Sequence, residues 1–71
     1  MEKSFLKAFG ELIRRKRNDK NLTIEKLAFI SDISSDYLGK IELGRVNPSI
    51  YIVYKISKGL GLKLTDLTNG L

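Results

Sequence analysis

The 71-residue chain has no cysteine, no histidine and a single proline. Without cysteine there is neither a disulfide nor a thiol nucleophile. Without either cysteine or histidine the usual zinc-binding sets cannot be assembled. A cysteine-free chain is compatible with a reducing, cytoplasmic compartment. No apolar run approaches the roughly 20 residues of a membrane span. The stretch MEKSFLKAFGELIRRKR has no apolar segment ahead of a small-residue cleavage site, so no secretory signal is expected. There is no phosphate-cradling glycine loop and no evident carboxylate pair in a pocket. These absences argue against an enzyme and give no reason to expect a cofactor, a metal or a small-molecule ligand.

What is present reads as one basic, apolar-rich domain over residues 1–71. Hydrophobic residues make up 42% of the chain, too many for a disordered tail. Thirteen Lys and Arg against eight Asp and Glu give a net charge of +5, a balance that suits a polyanionic partner. A domain this small buries only about 60% of its unfolded surface. Its stability is therefore expected to be a few kcal/mol, and a partner subunit would add to it.

Helical periodicity runs through the whole chain, which predicts an all-α fold. Phe5, Phe9, Leu12 and Ile13 form an apolar stripe on a helix from about Ser4, its cap, to Asp19. Gly10 interrupts that stripe at a cost of about 1 kcal/mol relative to alanine, which points to a second helix packed close against it. Arg14, Arg15, Lys16 and Arg17, with Lys20 just beyond, either complement the helix dipole or attract a polyanion at longer range. After a polar turn and the inward Leu22, Thr23 caps a second helix to about Ser31. Leu27 and Ala28 lie on its inner face.

Ser31, Asp32 and Ile33 make an elbow, with Asp32 left-handed and Ile33 as the apolar plug. A third helix follows from a cap at Ser34 or Ser35 to about Leu43. Leu38 and Ile41 point inward, and Gly44 is the left-handed stop. Pro48 is expected to open a fourth helix, running from about Ser49 to Leu60, with Ile50, Val53, Ile56 and Leu60 inward. Thr65 caps a brief last helix, Asp66 to about Thr68. Tyr51, Ile52 and Tyr54 are left as an apolar cluster, to which Leu67 and Leu71 are added. Such clusters usually mark an interface, and they are assigned to a homodimer.

Thr23–Leu43 thus has the form of two short helices at a steep angle. The pieces FGELIRRKR, LTIEKLA, ISSDYLGKIELGRVNPS and KGLGLKLTDL follow in order around it. Over some 60 residues this pattern resembles the phage-repressor and Cro-type helix-turn-helix family, also called the XRE family. The resemblance implies a compact five-helix bundle that binds double-stranded operator DNA, usually as a symmetric dimer. It implies that the second helix lies across the phosphate backbone and that the third reads base edges from the major groove.

By that resemblance the reading positions fall on Ser34, Ser35, Asp36, Gly39 and Lys40. Asp36 either accepts from a cytosine amino group or pairs with Lys40 four residues on, a pair worth about 0.2–0.5 kcal/mol. Gly39 either admits DNA closely or lets the second helix pack tightly. Arg45 and Asn47 match the phosphate-gripping loop. Arg17 and Glu42 match a buried ion pair between the first and third helices. Two positions depart from the family pattern. Ile24 stands where glutamine often touches the operator, leaving that contact to Thr23. Asp32 replaces the elbow glycine and adds a negative charge.

The function these readings support is a sequence-specific transcriptional regulator that binds a palindromic operator as a homodimer. Among relatives of this length the controller proteins of restriction–modification systems match best, followed by prophage regulators and antitoxins. The alternative is a protein-interaction module of antitoxin or anti-repressor type that touches DNA little.

Overall fold

The computed structural model describes residues 2–69 and 71. The elements are α1 (Glu2–Asp19), α2 (Ile24–Ile30), α3 (Ser35–Glu42), α4 (Ile50–Gly59) and α5 (Leu64–Thr68). No strand occurs among the described residues.

Three helices start on hydroxyl caps. Thr23 Oγ1 accepts from the Lys26 amide at 3.0 Å, Ser34 Oγ from Tyr37 at 3.0 Å and Ser49 Oγ from Ile52 at 3.2 Å. Ser34 is therefore the cap of α3, and Ser35 is its first helical residue. Three expected starts shift. Pro48 precedes the Ser49 cap rather than opening α4, and α1 begins at Glu2, which puts Ser4 inside the helix. In α5 the Lys63 amide donates to Asp66 Oδ2 at 2.9 Å, so the helix starts two residues earlier than a Thr65 cap would set it.

The first four helices all stop the same way. The residue after each C-cap is left-handed: Asn21 (φ 57), Asp32 (φ 57), Gly44 (φ 72) and Gly61 (φ 70). In each case two amides turn back on the last carbonyls, as when Asp32 donates to Phe29 O at 3.1 Å and Ile33 to Ala28 O at 3.0 Å. The residue after the left-handed one then points back at the protein. Leu22, Ile33 and Leu62 all pack on the core from that position. The fourth such residue is Arg45, which is exposed.

The core is built from Phe9, Ile13, Leu27, Ala28, Leu38, Ile41, Val53, Ile56, Leu60 and Leu67. α3 packs on α1 and α2, α4 on α2, and α5 on α1 and α4. Three assignments are corrected by this packing. Leu67 was expected at a dimer surface, but its side chain is wholly buried where α5 folds back on α1 and α4. Phe5 and Ile50 continue the apolar stripes of their helices, yet they are 53% and 68% exposed. Both sit in the first turns of their helices and line one open groove, where periodicity persists but burial is incomplete.

Gly10 has the close neighbour its position in the stripe demands. A Cβ there would overlap the backbone carbonyl oxygens of Ile41 and Glu42. The end of α3 lies directly on α1, backbone against backbone, and the angle of the helix pair is set at that crossing.

Candidate nucleic-acid interface

The frame of the site is an ion pair behind α3. Arg17 donates from Nε to Glu42 Oε2 at 2.7 Å and from Nη2 to Oε1 at 3.1 Å. Its remaining Nη1 donates to Leu22 O at 2.8 Å, tying the pair to the turn that leads into α2. Glu42 is buried, so the carboxylate has exchanged water for a two-point guanidinium contact. The hydrogen bond from Arg17 to Glu42 holds the guanidinium above the ordinary arginine range, against the opposing cost of its partial burial. A raised folded-state value contributes stability at all pH below the arginine range. The arginine side of the pair is therefore constant across physiological pH.

On the outer side, Ser35, Asp36 and Lys40 are exposed along α3 and Gly39 is half-buried between them. Asp36 Oδ2 and Lys40 Nζ do pair, at 3.2 Å, but both side chains stand mostly in solvent. A pair of that kind is worth about 0.2–0.5 kcal/mol, too little to hold Lys40 away from a stronger acceptor. Thr23 and Ser34 spend a lone pair on their caps, and each hydroxyl keeps its O–H as a donor. Both residues are exposed.

Gly39 has room beside it for a side chain. A Cβ there would meet only Ile24 Cδ1, at 3.6 Å, which is ordinary contact. Packing against α2 does not require the glycine. Its bare backbone instead forms the floor of a concavity of about 460 Å³, walled by Arg14, Thr23, Ile24 and Leu43.

Asp32 is less isolated than its place in the elbow suggested. Lys55 of α4 donates to its carbonyl at 3.0 Å and lies 3.8 Å from its carboxylate. Arg45 has its amide fixed on Lys40 O at 2.9 Å, while its side chain is left in solvent beside the exposed Asn47.

Of the residues assigned to a dimer, Tyr51 and Tyr54 are exposed, Ile52 is half-buried against the core, and Leu67 is excluded by its burial. Lys55 lies 5.1 Å from the centre of the Tyr51 ring. The apolar surface extends instead to a groove of about 170 Å³ that includes Phe5, Ile50 and Leu71. Leu43, Phe29 and Ile30 are also exposed, which nothing in their sequence spacing signals. Phe29 carries the Lys26 ammonium 5.9 Å from its ring centre.

Comparison with known proteins gives a consistent result. The helix-turn-helix family model matches residues 13–67. Control protein C.BamHI of Bacillus amyloliquefaciens is 43% identical over 60 residues, covering 83% of this chain and 74% of that protein. The HTH-type transcriptional regulator SlrR of Bacillus subtilis is 42% identical over 59 residues, or 82% of this chain. This chain spans only 39% of SlrR. Among solved structures, the restriction-modification controller protein C.AhdI from Aeromonas hydrophila superimposes with a TM-score of 0.89 at 33% identity. That match covers 90% of this chain and 97% of C.AhdI. These relatives are named as a transcriptional regulator, a control protein and a restriction-modification controller protein, not as enzymes.

Proposed function

The chain belongs to the XRE-type helix-turn-helix family of DNA-binding transcription regulators, and from that premise we propose that it binds a palindromic operator as a homodimer. In this reading residues 1–71 act as one DNA-binding unit, with α3 in the major groove. The protein works in the cytoplasm, on the nucleoid, and controls a restriction–modification system, as the name of C.AhdI states for that protein.

The observation that carries the reading is the end of α3. Three helices return an apolar side chain to the core just after their left-handed stop; α3 puts Arg45 there, exposed, at the foot of the face that carries Ser35 and Lys40. A cation fixed by its own backbone at the rim of a polar helix face suits a phosphate at the edge of a groove. Lys40 then reaches base acceptors, Ser35 and Asp36 contact base edges, and Gly39 keeps the middle of the helix low against the groove floor. Thr23 and Ser34 donate their free O–H to phosphates, and Asn47 adds to the Arg45 contact. Tyr51 and Tyr54, with Ile52 at their base and Ile50 beside them, form the homodimer contact.

Binding of purified protein to its preferred duplex, selected from a random pool, and to a scrambled one tests this. Lys40→Ala is expected to weaken the selected site by about 1–3 kcal/mol and to flatten sequence preference. Arg45→Ala is expected to weaken both duplexes alike and to make the salt dependence shallower by about one counterion. If neither substitution changes affinity, α3 and its following loop are not the binding surface.

A further inference from the structure

Lys3, Lys7, Arg14 and Arg17 recur along α1 at spacings that put them on one face, and Gly10 lies in the same row. The end of α3 crosses α1 at Gly10. The crossing therefore divides the basic row in two. Beyond it toward the C-terminus, Arg14 and Arg17 line the concavity that holds Thr23 and Gly39. On the N-terminal side, Lys3 and Lys7 line a second concavity, of about 570 Å³, whose far wall is Gly44, Arg45 and Asn47.

That second concavity is held together by a backbone contact. A Cβ on Gly44 would lie 2.7 Å from Lys7 Cα and 2.9 Å from its amide nitrogen. The loop after α3 therefore rests on α1 at Lys7, and Lys7 cannot drift away from Arg45. Three cations, Lys3, Lys7 and Arg45, face one carboxylate, Glu2. The hollow they line faces a polyanion with a net positive charge.

We propose that this hollow binds a DNA backbone phosphate, with Lys3 and Lys7 joining Arg45 and Asn47 in the contact; the proposal rests on α3 lying in the major groove. A helix in that groove is flanked by a phosphate backbone on each side. The two concavities flank the end of α3 in the same way. Lys7 and Arg14 are separated by about 10 Å along α1 at 1.5 Å per residue, against a major groove about 12 Å wide. In this pose Lys3 and Lys7 face one backbone, and Arg14 and Thr23, at the rim of the hollow floored by Gly39, face the other. The first turns of α1, which add nothing to the core at Phe5, acquire a purpose as the wall of the second phosphate site.

The test compares two double variants that remove the same charge. K3Q/K7Q empties the proposed site. K58Q/K63Q removes two exposed lysines from α4 and the link to α5, away from both hollows. Affinity for the selected duplex is measured from 50 to 200 mM salt, with thermal melts to confirm that both variants fold as the wild type does. K3Q/K7Q is expected to bind roughly tenfold more weakly at 50 mM salt, with a salt slope shallower by about 1 to 2. K58Q/K63Q is expected to keep the wild-type slope. Equal changes in the two variants would overturn the proposal, because the lysines would then act only through net charge. An unchanged slope in K3Q/K7Q would overturn it as well. If α3 does not lie in the groove, the result differs: Lys40→Ala and Arg45→Ala also leave binding unchanged.

Discussion

Glu42→Ala is expected to leave the chain largely unfolded at room temperature. The substitution strands the Arg17 guanidinium, which is mostly covered and has only Leu22 O as a remaining partner. Removing one member of a buried pair costs about 3–5 kcal/mol, and a domain of this size has only a few kcal/mol to lose. At roughly 4–8 °C per kcal/mol for a small domain, the midpoint falls by at least about 12 °C. Thermal melts followed by circular dichroism read this directly. Replacing both partners with apolar residues of similar volume, as in R17M/E42L, is expected to recover much of the loss, since no charge is then left without a partner. Whatever fraction of Glu42→Ala stays folded should keep the wild-type base preference, because the pair lies behind α3. A wild-type melt for Glu42→Ala would show that the pair is not what holds α3 to α1.

Gly10→Ala separates two effects of opposite sign. Helix propensity alone favours alanine inside α1 by about 1 kcal/mol. Packing opposes it, because the new Cβ falls on the carbonyl oxygens of Ile41 and Glu42, which are backbone atoms and cannot rotate aside. Overpacking of that kind costs about 1–3 kcal/mol and more when backbone must move. The net expectation is destabilisation by up to about 2 kcal/mol, and by more if the backbone of α3 has to move, with a shift of α3 that disturbs the Glu42 contact with Arg17. Urea denaturation gives the sign. A variant more stable than the wild type would mean that α3 does not rest on α1 at this point. Gly39→Ala is the natural comparison: it gains the same propensity and meets only Ile24 Cδ1 at 3.6 Å.

Most of the fold is legible in the sequence because most of it is decided locally. Thr23 and one of the two serines at 34 and 35 are small hydroxyl residues ahead of apolar periodic runs, and they cap, whereas the Ser49 cap is hidden behind Pro48. Asp32 and Gly44 stand where left-handed backbone is needed, and they adopt it. Gly10 announces a close neighbour, since a glycine in a helix interior costs stability unless something requires the space. The errors have a common physical source as well. Phe5 and Ile50 fit the period of their helices, but a period does not say how far the covering neighbour extends. Leu67 lies in a helix of five residues, too short to define a face, so its burial depends wholly on where α5 docks.

The candidate site divides along the same line. The polar face of α3 can be drawn from its spacing, whereas the hollow between Lys3, Lys7 and Arg45 cannot. Its walls are about forty residues apart in the chain and meet only because Gly44 lands on Lys7. Nor does spacing show that Leu43 stands exposed where it lines both hollows. Arg45 occupies both categories. Its charge is visible in the sequence, but its distinction from Leu22, Ile33 and Leu62 emerges only when the four helix ends are compared.

The central claim is that two copies of α3 read one DNA site together. A hydroxyl-radical footprint on the selected duplex, read at nucleotide resolution on both strands, tests it most directly. Two protected patches are expected on the same face of the helix, related by a two-fold and centred about 34 Å apart. A single patch, or protection no stronger than on bulk DNA, would contradict it.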